Sequence, residues 1–309
     1  MSANNDTQDA DARAAESRAA ESRAAESRAA ESRAAENNAE RDEIEITLIL
    51  EGIFRQYGYD FRNYARASIR RRLYNCVKSE SLQTISGLQE RVLHDTTCMA
   101  RLLTALTVHS TAMFRDPGFY RAVRSKVIPA LGTYPFVRIW HAGCSTGEEV
   151  YSLAILLTEE GIYDRCRIYA TDLSDNVLQS ARTGVFPLAS MKEYTENYVK
   201  AQGKASFSEY YTARYDYAVF RQELRENVVF APHNLVTDGS FNEFNIILCR
   251  NVMIYFNREL QNHVHELFHR SLCRLGVLGL GKKESMRFTP HEHDYDELDA
   301  GERLYRKVS

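Results

Sequence analysis

The sequence lacks the features that mark several large classes of protein. Its 309 residues carry 39 basic and 42 acidic side chains, and a net charge of −3 argues against a basic nucleic-acid coat or a polyacidic tail. Its apolar runs, such as residues 46–50 and 246–249, are far shorter than the roughly 20 residues of a membrane span. Six scattered cysteines form no CxxC pair, so no disulfide scaffold is expected. With a polar, acidic N-terminus, these absences predict a cytoplasmic protein with buried free thiols.

Three regions of different composition are present along the chain. Residues 1–43 contain five Ala/Glu/Arg-rich pentads (12–36), whose spacing leaves no apolar stripe and predicts a solvated helix or coil. Residues 44–118 show amphipathic spacing and predict an all-helical domain. The apolar stripe of its first helix is expected to comprise Ile44, Leu48, Ile49, Ile53 and Phe54. Residues 119–309 alternate short apolar runs with helical patterns, which predicts an α/β domain with a mostly parallel sheet. A tyrosine-rich stretch, 185–226, interrupts this alternation and predicts an inserted subdomain.

The predicted elements can be stated by their ranges. Helices are expected at about 44–56, 61–77, 86–94 and 98–106, then at 148–161, 174–184 and 257–276. Strands are expected at 135–143, 166–172, 227–234 and 244–251.

The first predicted strand of the α/β region leads into a glycine-containing loop, HAGCSTGEE (141–149). Ligands of parallel sheets bind at the carboxyl ends of the strands, and Gly143 and Gly147 would let the backbone approach such a ligand. Asp172 ends the second strand and could accept hydrogen bonds from a ribose. Neither GxGxxG nor GxxxxGK[ST] is present, which disfavours NAD and ATP. S-adenosylmethionine is favoured because it has no phosphate to bind.

Charge and histidine clusters were weighed as further sites. Residues 52–80 hold seven basic and two acidic side chains, either a solvated face or a docking surface. Because Phe61, Tyr64 and Leu73 look like core positions, an acidic protein helix is favoured over a nucleic acid as the partner. Histidines 263, 265 and 269 on one predicted helix, and His291 and His293 near acidic residues, are interpreted as solvated, and no metal site is predicted.

Five ordered motifs together resemble the CheR-type chemotaxis receptor methyltransferases. They are STAMFRDPGFY (110–120), HAGCSTGEEVYSLA (141–154), IYATDLSDNVLQSAR (168–182), HNL (233–235) and ILCRNVMIYF (247–256). The resemblance covers about residues 44–309. It implies an S-adenosylmethionine-dependent protein-glutamate O-methyltransferase. The implied fold is a Rossmann-like catalytic domain with a small β-subdomain insertion, preceded by an all-helical domain.

The resemblance also implies roles for particular residues. Arg115 and Tyr255 would flank the reacting methyl group, and the family commonly has Asn where this chain has His109. The cofactor would contact His109, Thr111, Arg115, Glu148 or Glu149 (with Glu149 favoured), Asp172, Asn234, Leu235, Asn251 and Val252. A glutamate substrate, with a side-chain pKa of about 4.3, is already ionised at neutral pH, so no general base is expected.

The expected partner is the cytoplasmic helical region of methyl-accepting chemoreceptors, bound by a monomeric enzyme. Its glutamate-bearing helix would dock on Arg62, Arg66, Arg70 and Arg71. Two other hypotheses remain: a methyltransferase of RNA or another substrate, and a non-catalytic cofactor-binding regulator of a signalling array. A base-labile methyl ester on a protein would indicate the receptor methyltransferase. Salt-dependent binding of RNA would indicate the RNA methyltransferase, and cofactor binding without turnover would indicate the regulator.

Overall fold

The computed structural model describes residues 33, 36–107 and 111–309, so nearly all of the pentad repeat and His109 lie outside the described residues. The first described elements are helices: α1 (36–57), α2 (Arg66–Ser79), α3 (Ile85–His94) and α4 (Thr96–Leu106). All four were predicted, and α3 and α4 begin within two residues of their predicted starts, whereas α1 begins eight residues earlier and α2 five residues later than predicted. Helix α1 ends at Gly58, whose φ of 78° is a left-handed conformation that glycine adopts at little cost.

The buried face of α1 differs from the predicted one. Ile46, Ile49 and Ile53 are buried, whereas Ile44 and Leu48 are 60% and 51% exposed. The expectation that Ile44 and Leu48 belong to the apolar stripe was wrong. The i, i+3, i+7 series that starts at Ile46 defines a single face, and Ile44 and Leu48 lie off it.

Two compact units are present in the described part of the chain. One comprises the described residues up to Arg62 together with Leu73–Asp95, and the other comprises Asn63–Arg72 and Thr96–Ser309. In the first unit, the Tyr57 hydroxyl donates to the Val92 carbonyl at 2.6 Å, which ties α1 to α3. The domain boundaries predicted at 43 and 118 stay predictions.

The second unit contains a large sheet covered by helices. The helices are α5 (Pro117–Ala122), a π-helical turn (Val123–Val127), α6 (Ile128–Leu131), α7 (Glu148–Glu159), α8 (Asp175–Thr183), α9 (Met191–Lys200) and α10 (Arg258–Ser271). The strands are β1 (Val137–Ala142), β2 (Cys166–Asp172), β3 (Val185–Pro187), β4 (Tyr211–Arg214), β5 (Tyr217–Phe220), β6 (Val228–Pro232), β7 (Phe244–Cys249), β8 (Leu272–Leu280), β9 (Tyr295–Asp299) and β10 (Leu304–Lys307).

Seven of these strands form one sheet in the order β6-β2-β1-β7-β8-β10-β9. The first five are mutually parallel, and β10 is antiparallel to both of its neighbours. The order reverses direction at β1, between β2 and β7, which is the switch point where such sheets bind ligands. The mostly parallel α/β sheet predicted from the sequence is therefore confirmed.

Residues 185–220 contain the second sheet, three antiparallel strands in the order β3-β5-β4. Its tyrosines are largely structural. Tyr198 and Tyr210 are buried and both donate to Glu159 of α7, whereas Tyr215 is almost fully exposed. The predicted inserted segment thus carries its own small sheet. Hydrogen bonds from its tyrosines to Glu159 connect the segment to α7.

The helix predicted at 257–276 extends five residues beyond the end of the observed helix. Helix α10 ends at Ser271, and Leu272–Leu280 form strand β8, paired with β7. Apolar residues at 264, 268, 272 and 275 continue a helical spacing past the helix end, so the pattern alone did not reveal the change. Strands β9 and β10 were not predicted either.

The burial of the cysteines agrees with the sequence-based expectation, whereas that of one histidine does not. All six cysteines are free, and five are buried, as expected. The interpretation of the helix histidines as a solvated face was wrong for His265, which is buried and whose pKa is lowered to about 4 by burial. His269 and His291 are half-buried and stack on each other.

Candidate functional site

An open cavity lies at the carboxyl ends of the parallel strands. Residues directly after β1, β2, β6 and β7 line it, and others come from the segments before α2 and α5. The structure brings together on its wall most of the residues predicted for the site: Thr111, Arg115, Glu149, Asp172, Asn234, Leu235, Asn251, Val252 and Tyr255. Glu148 is not among the lining residues, and His109 lies outside the described residues.

The loop after β1 passes close to the loop after β7. Gly143 has a φ of 77°, and a Cβ atom added there would lie 2.4 Å from Cγ2 of Val252. Since real Cβ atoms do not approach other carbons so closely, glycine is required both by conformation and by space. Ser145 in the same loop is also left-handed, with a φ of 50°.

Asp172 connects two loops at the ends of β1 and β2. Its Oδ2 accepts from the Ser145 amide at 2.8 Å, and its Oδ1 accepts from the Ser174 amide at 3.1 Å. Each carboxylate oxygen can accept more than one hydrogen bond, so both retain capacity for a ligand hydroxyl. The predicted ribose-binding carboxylate is thus held rigidly at the cavity wall.

Arg250, at the end of β7, is the charged hub of the site. Its Nη1 donates to Glu149 Oε1 at 2.6 Å and its Nη2 to Asp116 Oδ2 at 2.7 Å. Nη1 also lies 3.3 Å from the Arg115 carbonyl, and the guanidinium lies 4.2 Å from the Phe119 ring centroid. Arg250 was not among the predicted site residues. It directly follows strand β7, but the sequence does not reveal which carboxylates it pairs with.

The two acidic residues at the start of α7 have different environments. Burial raises the pKa of Glu149, but Arg250 and His141 outweigh that effect and bring the pKa below its usual range. The pKa of Glu148 is raised by burial, and its Oε2 accepts from the Thr146 hydroxyl at 2.6 Å. Glu149 is therefore the ionised carboxylate on the cavity wall, whereas Glu148 is bound to the loop.

Arg115 lies between two residues with strained backbones. Phe114 and Asp116 have φ values of 51° and 55°, and the Phe114 amide donates to the Ser152 hydroxyl of α7 at 2.8 Å. Left-handed residues that are not glycine cost roughly 1 kcal/mol or more, and they persist where surrounding contacts fix them. Ser152 and Arg250 supply those contacts, which direct the Arg115 segment along the cavity.

Tyr255 is held from two sides. The Ala65 amide donates to its carbonyl at 2.8 Å, and the guanidinium carbon of Arg72 lies 4.5 Å from the centre of its ring. Arg72 is 5% exposed and also donates to the Leu106 carbonyl. Counting Arg72 in an exposed basic surface was therefore wrong, because the residue is buried against Tyr255. Tyr64, predicted as core, is only half-buried and lines the cavity.

The loop after β7 is fixed by Glu284. This buried carboxylate accepts from the amides of Gly281, Asn251 and Met253 at 2.6, 3.0 and 2.8 Å. Asn251 is left-handed, and its buried Oδ1 has no hydrogen-bond partner among the described residues. A buried polar atom without a partner on a cavity wall indicates that a ligand completes its bonding.

The four predicted docking arginines have different surroundings. Arg62 pairs with Asp60 at 2.8 Å and with Glu51 at 3.1 Å, and its hydrogen bonds lower the pKa of Asp60. Arg66 and Arg71 are exposed and Arg70 is half-exposed on α2. The charge of Arg62 is therefore compensated by Asp60 and Glu51. The docking role of Arg66, Arg70 and Arg71 stays a prediction.

The donor set of the cavity fits S-adenosylmethionine. Asp172 offers acceptors for a ribose, and Glu149 and Asn251 offer a carboxylate and an orphan amide oxygen for the ammonium group of the amino-acid end. Leu235, Val252 and Phe256 offer apolar surface for a flat base.

Comparisons with known proteins agree with this geometry. Residues 109–300 match the family model "CheR methyltransferase, SAM binding domain", and residues 44–107 match "CheR methyltransferase, all-alpha domain". A Pseudomonas putida protein named "Putative methyltransferase Cher3" is 49% identical over 86% of this chain and 97% of its own length. The chemotaxis protein methyltransferase of Listeria innocua is 29% identical over 80% of this chain and 91% of its own. Chemotaxis protein methyltransferase 1 of Pseudomonas aeruginosa is 26% identical over 74% of this chain and 86% of its own length.

Among the described residues, no helix is both long enough and apolar enough to span a membrane.

Proposed function

The chain belongs to the CheR methyltransferase family, with an S-adenosylmethionine-binding domain and an all-helical N-terminal domain, and we propose that it methylates glutamate side chains of chemoreceptors. The products are a glutamate methyl ester and S-adenosylhomocysteine. The observation that supports this proposal is that Arg115, Tyr255, Glu149 and Asp172 all line one cavity. The cofactor, when bound, supplies an electrophilic methyl group.

The residues of the chain align and desolvate the substrate. The Arg115 guanidinium donates hydrogen bonds to the glutamate carboxylate, which is a charge-assisted and directional contact. Tyr255, held by Arg72 and the Ala65 amide, forms the opposite side of the acceptor position. Because a carboxylate is ionised at neutral pH, the site needs alignment and exclusion of water rather than a proton acceptor.

Cofactor contacts are proposed for the remaining wall residues. Asp172 accepts from the ribose hydroxyls, and Glu149 contacts the amino group. Thr111, Asn234, Leu235, Asn251 and Val252 line the rest of the binding position. Helix α2 presents Arg66, Arg70 and Arg71 to the acidic helix of the receptor. Because that helix belongs to the cytoplasmic region of the receptor, the proposed reaction is a cytoplasmic one. Arg72, on the same helix, contacts Tyr255, so this surface adjoins the acceptor position.

The test is methyl transfer from tritiated S-adenosylmethionine to a purified receptor cytoplasmic fragment. We expect label that is released as methanol by alkali, and no label on a fragment whose methylation-site glutamates are replaced by glutamine. Tyr255→Phe should lower kcat/KM while calorimetry still detects cofactor binding, because Tyr255 is assigned to the acceptor side. Arg115→Lys should also lower kcat/KM, because Arg115 is assigned to both the acceptor and the cofactor. Label that resists alkali, or cofactor binding with no transfer to any receptor fragment, would contradict the proposal.

A further inference from the structure

A second polar cluster lies at the edge of the large sheet opposite the cavity. His269 is in the last turn of α10, and His291 and Asp294 belong to the segment that leads into β9. Helix α10 is followed directly by β8, and β9 runs parallel to β8 because each is antiparallel to β10. The cluster therefore lies where these strands begin, whereas the cavity lies where the parallel strands end.

The three side chains direct metal-ligating atoms at one another. Asp294 Oδ2 lies 2.8 Å from His291 Nδ1 and 4.0 Å from His269 Nε2. All three atoms lie within 4.8 Å of one another. Atoms bound to one zinc ion at 2.0–2.1 Å in a tetrahedron are about 3.3 Å apart, so the observed distances bracket that spacing.

A fourth residue orients one of the imidazoles. Glu266, one turn before His269 on α10, contacts His291 Nε2 through its Oε2 at 2.5 Å, and its other oxygen pairs with Arg270. In metal sites a carboxylate commonly accepts the ring N–H that does not face the metal, which fixes the tautomer and leaves the other nitrogen as the ligand. Glu266 provides this for His291 and leaves Nδ1 directed at Asp294.

We propose that His269, His291 and Asp294 bind a divalent transition-metal ion of the zinc class, with Glu266 as the positioning carboxylate and water completing the coordination. Two imidazole nitrogens and one carboxylate oxygen suit Zn²⁺ better than Ca²⁺ or Mg²⁺, which prefer oxygen ligands only. The imidazole rings are now parallel, with centroids 3.9 Å apart and 7° between their planes. Since a bound metal lies near the plane of each ring, the two rings tilt toward it on binding.

Such a site links two parts of the catalytic unit. It joins α10 to the segment between β8 and β9, which also carries Glu284. Glu284 holds the amides of Asn251 and Met253 at the cavity. The metal is therefore structural, and its effect on the cavity is expected through the segment that bears Glu284 rather than through chemistry at the reacting atoms.

The experiment titrates Zn²⁺ into the full chain, prepared without a histidine tag and freed of metal by a chelator. Calorimetry should show one equivalent bound, and Co²⁺ in its place should give the visible absorption of a tetrahedral complex. His269→Ala and His291→Ala should each weaken binding at least tenfold. Glu266→Gln should weaken it about 10- to 100-fold, as loss of an outer carboxylate does at other metal sites.

His263→Ala is the matched control, because His263 is an exposed histidine on the same helix. Binding by this variant should equal that of the unchanged protein, and circular dichroism of every variant without metal should match it. The proposal is overturned if Zn²⁺ does not bind, if the double variant His269→Ala/His291→Ala binds as tightly as the unchanged protein, or if His263→Ala weakens binding as much as His291→Ala.

Discussion

Gly143 and Gly161 have similar backbones and different surroundings, which makes them a matched pair. Their φ values are 77° and 68°, but a Cβ at Gly143 would meet Val252, whereas nothing lies within 4 Å of one at Gly161. Alanine at either position pays about 1–2 kcal/mol for the left-handed conformation. Only Gly143→Ala also displaces Val252 at the cavity, so we expect it to weaken cofactor binding at least tenfold and Gly161→Ala to leave the Kd unchanged.

Calorimetry with S-adenosylhomocysteine would measure both affinities, and thermal unfolding would show the shared loss of stability. Equal affinities of the two variants would mean that the Gly143–Val252 contact does not shape the binding site.

Asp172→Ala should weaken cofactor binding more than any exposed acidic substitution nearby. Charge-assisted hydrogen bonds to ribose hydroxyls contribute roughly 1.5–3 kcal/mol each, and about 1.4 kcal/mol corresponds to a tenfold change in Kd. The same substitution removes the acceptor of the Ser145 and Ser174 amides. Asp175→Ala, three residues on and exposed, is the control and should bind normally by calorimetry. An unchanged Kd for Asp172→Ala would remove this carboxylate from the site.

Site residues that lie at the ends of strands could be predicted from the sequence. Site residues that depend on a side-chain partner far away in the sequence could not. Asp172 and Gly143 follow strands, and the carboxyl ends of parallel strands share one edge of the sheet, so their convergence follows from the pattern. Arg250 pairs with Glu149, which is 101 positions away, and Glu284 supports the Asn251 amide across 33 positions. Such pairs depend on how the strands are ordered in space, which hydrophobic periodicity does not encode.

Hydrophobic periodicity predicted which helices and strands exist better than it predicted where they end. Strand β2 was predicted with its bounds unchanged, because Cys166 and Asp172 separate an apolar run from polar neighbours. The end of α10 was missed because leucines at 272 and 275 continue the helical spacing. There, the pairing of β8 with β7 in the core overrides a weak local preference.

Helix α2 carries the prediction that concerns docking. Reversing Arg66, Arg70 and Arg71 to Glu should raise the KM for receptor fragment and leave cofactor affinity unchanged. Arg66 and Arg70 are one turn apart and share a face of the helix. Exposed ion pairs contribute about 0.2–1 kcal/mol each, so three together predict a KM raised about threefold to 100-fold at low salt.

The difference from the unchanged enzyme should shrink as salt rises, because screening weakens interactions between exposed charges. Steady-state kinetics at two ionic strengths measures this. The matched control reverses three exposed arginines on the sheet strands, Arg138, Arg274 and Arg306. If both triple variants methylate receptor equally well at low salt, the α2 arginines are only solvated.

The whole molecule combines a catalytic unit, a helical unit and an N-terminal repeat of unlike composition. The repeat offers alanine as its only apolar residue, so it has no stripe with which to pack on a folded unit. Helix α1 differs, because Ile46, Ile49 and Leu50 are buried. The part of the chain needed for folding is therefore expected to begin between the end of the repeat and Ile46.

Deleting residues 1–35 should leave methyl transfer and thermal stability unchanged, whereas deleting residues 1–50 should unfold the helical unit. Loss of three buried isoleucine and leucine side chains costs about 2–5 kcal/mol each, which is comparable to the stability of a small domain. The two deletions thus lie on either side of the position where the part of the chain needed for folding begins. Thermal unfolding and kcat/KM on a receptor fragment measure both effects. A large loss of turnover in the shorter deletion, with unchanged unfolding temperature, would show that the repeat takes part in substrate binding.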